Sequence, residues 1–282
     1  MNVEKLNLLD SNTSEIRYKI SRFPDGQQSI RLNDVRRFDN VHIEIVSRLN
    51  SFMDLELIIC AKKALDNLGA TSVSLYTPYF LGARSDRKFE VGSIHYLKDV
   101  ICPIVNSLDF KYVKVLDPHS DVLEACLDSI VKVTNYSFLK EAFSKIDNKN
   151  GAQKRVCLVS PDAGAYKKIF DVAKHFGISN IITATKVRDL ITGNIVHTEV
   201  PVPESDDVFK YVIVDDICDG GRTFIEIAKT IKNTKPNAEI YLIVSHGIFS
   251  AGFTQLGEYF KGIYCTNSVR DIEDKVNQIN IF

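Results

Sequence analysis

The chain has 282 residues, 45% of them hydrophobic, which is enough for two domains of ordinary size with real cores. Its formal net charge of −1 gives no electrostatic case for binding nucleic acid or an anionic membrane surface. No stretch approaches the roughly 18 apolar residues needed to cross a bilayer, and the N-terminus, MNVEKLNLLDSNTSEIRYKI, has no signal-peptide apolar core; six cysteines without a CxxC spacing read as reduced, buried thiols of a cytoplasmic protein.

Taken in order, residues 16 to 46 read as short strands and turns. Phe23-Pro24-Asp25-Gly26 is a strong turn signal, and Val41 to Val46 is a strand. Met53 to Leu68 has helical spacing, with Leu57, Ala61, Ala64, Leu65 and Leu68 on one face and Gly69 as the stop. Thr71 to Tyr76 is the next strand, and a polar loop carrying Arg84, Ser85, Asp86, Arg87 and Lys88 follows it. A helix over Gly92 to Ile104 and a strand over Tyr112 to Leu116 lead to Asp117-Pro118-His119-Ser120, then a short helix over Asp121 to Leu127. The polar segment Asp147 to Arg155 is the expected domain boundary, giving domains 1–147 and 148–282.

The second half is more regular. Val156 to Ser160 is a strand followed by Pro161-Asp162-Ala163-Gly164, and Ala165 to Phe176 is a helix closed by Gly177. Asn180 to Thr185 is a strand, and Lys186 to Pro203 is expected to be a mobile loop or hairpin. Ile240 to Ser245 and Ile263 to Cys265 supply the remaining strands. Strands alternating with helices predict an α/β protein of parallel sheets covered on both faces, with ligands at the carboxyl ends of the strands. The repeat of a strand ending in aspartate, at Val115 to Asp117 and again at Val214 to Asp216, suggests two related domains.

The most informative stretch is Tyr211 to Phe224, YVIVDDICDGGRTF. A buried strand over Tyr211 to Asp215 is expected to end at the carboxylates Asp215 and Asp216. The loop Asp219-Gly220-Gly221-Arg222-Thr223 would then open a helix from about Phe224 to Lys232. Paired glycines let the backbone approach a phosphate, and a helix N-terminus presents unpaired N–H groups with partial positive charge. Thr223 adds a hydroxyl donor, and the upstream carboxylates suit vicinal ribose hydroxyls or a divalent cation. A plain Gly-rich turn is the alternative for Gly220-Gly221 alone; three aspartates around it favour a sugar phosphate. Other polar clusters sit at predicted strand ends: the Arg84 group, Asp117 with His119, Asp162, and Lys186 with Arg188. Singly, His119 reads as a satisfied histidine, Asp162 as a helix N-cap and Lys186 as a surface charge. Cys218 lies in the key loop without a visible histidine partner and reads as structural.

The blocks FPDGQ, ARSDRK, LDPHS, VSPDAG, TKVR, VIVDDICDGGRT and SHGIFS, in this order, resemble the ribose-phosphate pyrophosphokinases, or PRPP synthetases, from about Arg22 to Arg270. The resemblance implies two type I phosphoribosyltransferase-like domains, each a mainly parallel sheet flanked by helices. It implies transfer of the β,γ-diphosphoryl group of ATP to the C1 hydroxyl of ribose 5-phosphate, giving PRPP and AMP. The sugar phosphate would lie at Asp219, Gly220, Gly221, Arg222 and Thr223, with Asp215 and Asp216 at the ribose hydroxyls. Phe23, Asp25, Gln27, Arg84, Ser85 and His119 fall on ATP-binding positions, the first three reaching the adenine of a neighbouring subunit. Mg²⁺ is implied at His119 and Asp162, and Lys186 and Arg188 match the basic pair of a catalytic loop. A homodimer or higher homo-oligomer, with the ATP site shared across an interface, is implied too. The chain departs from the family at Gln27 (usually Glu), Ser85 (usually Gln), Gly220 (usually a hydroxyl residue) and Arg222 (usually small). The segment Phe89 to Lys98 lacks the family's basic regulatory character. Two other readings stand beside this one: a transferase that consumes PRPP, and a non-catalytic regulatory subunit.

Overall fold

The computed structural model describes residues 2–34, 36, 38, 40–146, 156–188, 195–204 and 210–282. Contacts divide the chain into two units, Met1–Thr134 with Phe282, and Asn135–Ile281. The expected boundary segment, Asp147 to Arg155, lies outside the described residues. Each unit is an α/β layer structure built on a parallel sheet.

In the first unit, β1 (Asn2–Asn7), β4 (Val41–Val46), β5 (Val73–Tyr76), β6 (Val113–Leu116) and β7 (Ile130–Val133) form a five-stranded sheet in that order, every pair parallel. One face carries Leu6, Ile43, Ile45, Val73, Leu75, Val113 and Val115 into the core. Helix α1 (Phe52–Asn67) closes that core with Leu55, Ile58, Ala61 and Leu65. Its start is fixed by a capping box between Ser51 and Asp54, and Gly69 ends it at φ +78°. The buried stripe is rotated from the expected one: Leu55 and Ile58 are buried, while Leu57, Ala64 and Leu68 are only partly so. A π-helical turn over Leu97–Ile101 runs into α2 (Cys102–Asn106), so helix begins later than the expected Gly92. Helix α3 (Val122–Cys126) adds Leu123 to the same core. A separate antiparallel hairpin, β2 (Tyr18–Arg22) with β3 (Gln28–Leu32), carries the Phe23 to Gln27 turn at its tip.

On the opposite face of the sheet, His42 is buried among hydroxyls. Its Nδ1 lies 2.7 Å from Ser72 Oγ, and its Nε2 lies 2.9 Å from Ser74 Oγ and 2.8 Å from the Tyr112 hydroxyl. Burial and the charges of Lys111 and Lys114 hold its pKa below the usual value, against an opposing pull from Glu44.

The second unit has six parallel strands in the order β15 (Asn277–Ile279), β14 (Gly262–Thr266), β13 (Glu239–Gly247), β12 (Lys210–Cys218), β8 (Val156–Ser160), β9 (Asn180–Thr183). Tyr211, Val212, Ile213 and Val214 are all buried because helices cover both faces of the sheet, which is why that stretch shows no alternation. Tyr211 and Ile213 face α6 (Arg222–Thr234) and α7 (Thr254–Tyr259). Val212 and Val214 face α4 (Tyr136–Ile146) and α5 (Tyr166–Phe176). The segment after β9 is an antiparallel hairpin of β10 (Thr185–Arg188) and β11 (Ile195–Glu199).

The chain runs outward from β8 to β9, then returns to β12 on the other side of β8. Strand order therefore reverses between β8 and β12, and the crevice at their carboxyl ends is where ligands gather in open α/β sheets. Among the described strands of the first unit the order is sequential, without such a reversal.

Candidate sugar-phosphate site

Two loops border the crevice. The loop after β8 contributes Asp162, whose Oδ1 accepts the Ala165 N–H at 3.1 Å and whose carbonyl accepts the Ser160 hydroxyl at 2.8 Å. That carboxylate does shape the turn into α5, as the plain N-cap reading supposes. It also lies close enough to Asp215, at the end of β12, for its charge to be felt there.

Strand β12 continues past both aspartates to Cys218, beyond the expected end at Asp215. Pairing of Ile217 with His246 and of Cys218 with Gly247 on β13 sustains it. Asp215 Oδ1 accepts the Asp216 N–H at 2.9 Å, and Asp216 is buried. Burial, then the charges of Asp216 and Asp162, push the Asp215 carboxyl well above the usual carboxylate range. A pair of carboxylates kept in this unfavourable state fits a partner that compensates them, such as hydroxyl donors or a cation.

The turn that follows is tight. Gly221 has φ +80°, and a Cβ there would lie 3.0 Å from Leu256 Cδ2 and 3.3 Å from Leu256 Cγ. Gly220 has no such constraint; the nearest atom to its virtual Cβ is Ser250 Oγ at 3.9 Å. Helix α6 starts at Arg222, so Arg222 and Thr223 belong to its first turn, not to the preceding loop as expected. Gly221 supplies no side-chain cap, which leaves the first N–H groups of a 13-residue helix facing the turn. Uncapped backbone donors, a helix dipole and the Thr223 hydroxyl within one turn make this a candidate place for an anion.

Cys218, at the start of the turn, is buried, and its thiol is pushed up to about 12 by burial and by the charges of Asp215 and Asp219. Such a thiol is not a nucleophile. Beside the turn, a groove of about 460 Å³ runs between α6 and α7, bordered by Gly220, Arg222, Lys229, Gln255 and Tyr259. Arg222 is exposed at its mouth. Lys229 is paired with Glu226 at 2.9 Å.

The remaining expected residues sit apart from this cluster in sequence and element. Lys186 and Arg188 lie on β10, their backbones paired with Thr198 and Ile195 of β11. In the first unit, Arg84 and Ser85 follow β5 and His119 follows β6, and these strands are sheet neighbours. Their loops thus leave the same edge of the sheet. Arg84 and His119 are exposed. Phe23, Asp25 and Gln27 stand at the hairpin tip, where Asp25 Oδ1 accepts the Gln27 N–H at 3.2 Å and Phe23 is half exposed. Among the described residues no group of three or more His, Cys, Asp or Glu is arranged to hold a metal. The mutually repelling Asp162 and Asp215 suit a hard cation that takes few protein ligands and completes its shell with water and phosphate oxygens, as Mg²⁺ does. No helix among the described residues is long and apolar enough to cross a membrane.

Sequence reasoning missed the loop after β13. It noted SHGIFS as a block but gave it no contact, and the structure ties it directly to the turn that opens α6. Nothing in the sequence pattern signals that link.

Comparison with known proteins is consistent with this geometry. The model of the phosphoribosyl transferase domain family matches residues 135–261, which include the crevice, the turn and α6. The chain is 24% identical over 278 residues to the ribose-phosphate pyrophosphokinase of Sulfolobus acidocaldarius, covering 97% of this chain and 91% of that protein. It is 27% identical over 236 residues to that of Shewanella oneidensis (82% and 71%), and 25% identical over 270 residues to that of Thermotoga maritima (93% and 82%). Its fold matches the phosphoribosylpyrophosphate synthetase from Mycobacterium smegmatis with a TM-score of 0.80, over 99% of this chain and 95% of that one, at 14% identity.

Proposed function

From a chain that is a distant member of the ribose-phosphate pyrophosphokinase family, we propose an enzyme that joins ATP to ribose 5-phosphate. The observation that carries this reading is the turn at Gly221 opening α6, set beside Asp215 and Asp216 at the strand-order reversal. The 5-phosphate would lie on Asp219 to Thr223, and the ribose hydroxyls against Asp215 and Asp216. The hydroxyl oxygen on C1 then attacks the β-phosphorus of ATP. A bond forms from that oxygen to the β-phosphorus, the bond from the β-phosphorus to the bridging oxygen of the α-phosphate breaks, AMP leaves, and the hydroxyl proton is lost.

Such a transfer spreads charge over phosphate oxygens, so the protein contributes mainly positioning and electrostatic stabilisation. Lys186 and Arg188 are assigned to that charge, and Phe23, Asp25, Gln27, Arg84, Ser85 and His119 to ATP. Mg²⁺ held by Asp162, His119 and substrate phosphates would supply charge neutralisation. The hairpin tip, with Phe23 half exposed, suits an ATP site completed by a neighbouring copy in a homo-oligomer. We assign the protein to the cytoplasm, and domains 1–147 and 148–282 to the ATP and sugar-phosphate sides.

A PRPP-consuming transferase would account for the segment 135–261 but leaves the first unit's ARSDRK and LDPHS blocks without a purpose. A phosphorus NMR time course with the protein, Mg²⁺, ATP and ribose 5-phosphate separates the readings. Joint appearance of AMP and PRPP, dependent on every component, is the expected result. Unchanged ATP and ribose 5-phosphate would refute the synthetase, and consumption of added PRPP with a base would establish the transferase.

A further inference from the structure

The loop after β13 is bonded to the start of the turn that opens α6, at Cys218 and Asp219. The N–H groups of Ile248 and Phe249 both donate to the Cys218 carbonyl, at 2.8 and 3.1 Å. Ser250 then makes two bonds to one residue: its N–H donates to the Asp219 carbonyl at 3.2 Å, and its hydroxyl donates to Asp219 Oδ1 at 2.5 Å. Ser250 is not loosely held. The preceding Phe249 is buried and takes a left-handed φ of +49°, a conformation that bulky residues adopt only where packing enforces it. Its ring lies so close to Gly247 that a Cβ there would collide with Cε2 of the ring. A packed corner therefore presents the Ser250 hydroxyl at a fixed place.

That place is chemically specific. The turn from Asp219 to Thr223 has its only side-chain hydroxyl at Thr223. At the other end Gly220 offers none, and the Ser250 hydroxyl lies 3.9 Å from where a Gly220 Cβ would be. We infer that Ser250 is a positioning residue of this site: by donating to Asp219 from another loop it orients the Asp219 carboxylate and the adjoining Gly220 peptide for a sugar 5-phosphate. The inference rests on the sugar-phosphate reading of the turn.

The test uses the full chain with four substitutions: Ser250→Ala, Ser250→Thr, Gly220→Ser, and Ser250→Ala combined with Gly220→Ser. Calorimetric titration with ribose 5-phosphate should show a roughly five- to tenfold weaker Kd for Ser250→Ala, the scale of one ordinary net hydrogen bond, since Ser250 acts through Asp219. Ser250→Thr should bind normally. The double variant should recover most of the loss, because a Cβ at position 220 meets no atom nearer than the Ser250 hydroxyl at 3.9 Å, so a serine there carries a donor toward the place Ser250 vacates. Without ligand, amide exchange at residues 219 to 221 should quicken in Ser250→Ala while the urea midpoint stays within error of wild type. A Ser250→Ala protein that binds ribose 5-phosphate like wild type overturns the inference. So does a loss that tracks a lowered urea midpoint and is not recovered by Gly220→Ser, which would mark Ser250 as a tie between loops and nothing more. A wild-type protein that takes up no ribose 5-phosphate overturns instead the sugar-phosphate reading, and with it the ligand assigned to Ser250.

Discussion

Replacing Gly221 with alanine loads the turn before α6 at its tightest point. Two costs add. A non-glycine residue at φ +80° pays roughly 1–2 kcal/mol for left-handed backbone. The new methyl also meets Leu256 Cδ2 at 3.0 Å and Cγ at 3.3 Å, and Leu256 is itself buried, so it has little freedom to yield. Overpacking of this kind costs about 1–3 kcal/mol. The sum is about 3 kcal/mol, or about 6–12 °C in the Tm of the second unit. Urea denaturation followed by far-UV circular dichroism measures it. A double-mutant cycle with Leu256→Ala separates the parts: without that side chain, Gly221→Ala should cost only the backbone share, roughly 1–2 kcal/mol. Gly220→Ala is the control, with no positive φ and no atom nearer than 3.9 Å, and should stay within about 0.5 kcal/mol of wild type. Equal effects at the two glycines, or a Gly221→Ala loss below about 1 kcal/mol, would refute the reasoning.

Three further outcomes are expected. Asp215→Asn removes a carboxylate whose charged form the fold disfavours, and its remaining oxygen can still accept the Asp216 N–H. At pH 7.5 it should therefore raise stability, by about 0.5–2 kcal/mol, while weakening ribose 5-phosphate binding about tenfold. Thermal melts and calorimetry on the same samples check both, and a destabilised variant would contradict the burial argument. Lys186→Ala should lower turnover on the order of 10²–10³-fold with ATP binding nearly intact, and near-normal turnover would remove Lys186 from its assigned role. His42 has a pKa held low by burial, so the folded ring resists a proton that the unfolded chain accepts near 6.5. Its contribution is therefore complete above that pH and is lost as pH falls below it, with a slope of at most about 1.4 kcal/mol per pH unit. Urea midpoints from pH 7.5 to 5 should show the decline, and His42→Gln should flatten it.

Much of this architecture is legible in the residues. Val41 to Val46 alternates Val41, Ile43 and Ile45 with His42 and Glu44, Val156 to Ser160 is an apolar run, and the structure begins and ends both strands as expected. The ends of β12 and α6 were harder. Two adjacent carboxylates look like the close of a strand, yet pairing with His246 and Gly247 outweighs that local signal. Arg222 looks like a loop residue because glycines precede it, but the left-handed Gly221 lets the helix begin at once. In α1, apolar residues lie almost all round, so spacing alone does not pick the buried stripe. Lys62 even points inward, with its ammonium 2.6 Å from Asp66 Oδ1. Strand β7 escaped notice because lysine interrupts a run of only four residues, and α7 because six residues carry little periodicity. At the site, the aspartates and glycines are visible from their spacing. The link from Ser250 to Asp219 is not, since it joins loops far apart in the chain and follows from strand order alone.

The six cysteines are all free, and their placement gives each unit its own clock. Cys102 in the first unit, and Cys157, Cys218 and Cys265 in the second, are buried with thiols pushed up to about 12, chiefly by loss of water. At neutral pH they meet an alkylating reagent almost only when their surroundings open. Labelling rates resolved by mass spectrometry would thus time the opening of each sheet separately, in the native protein and without any substitution. Ribose 5-phosphate bound at the turn should slow the clock at Cys218, where β12 ends, more than the one at Cys102.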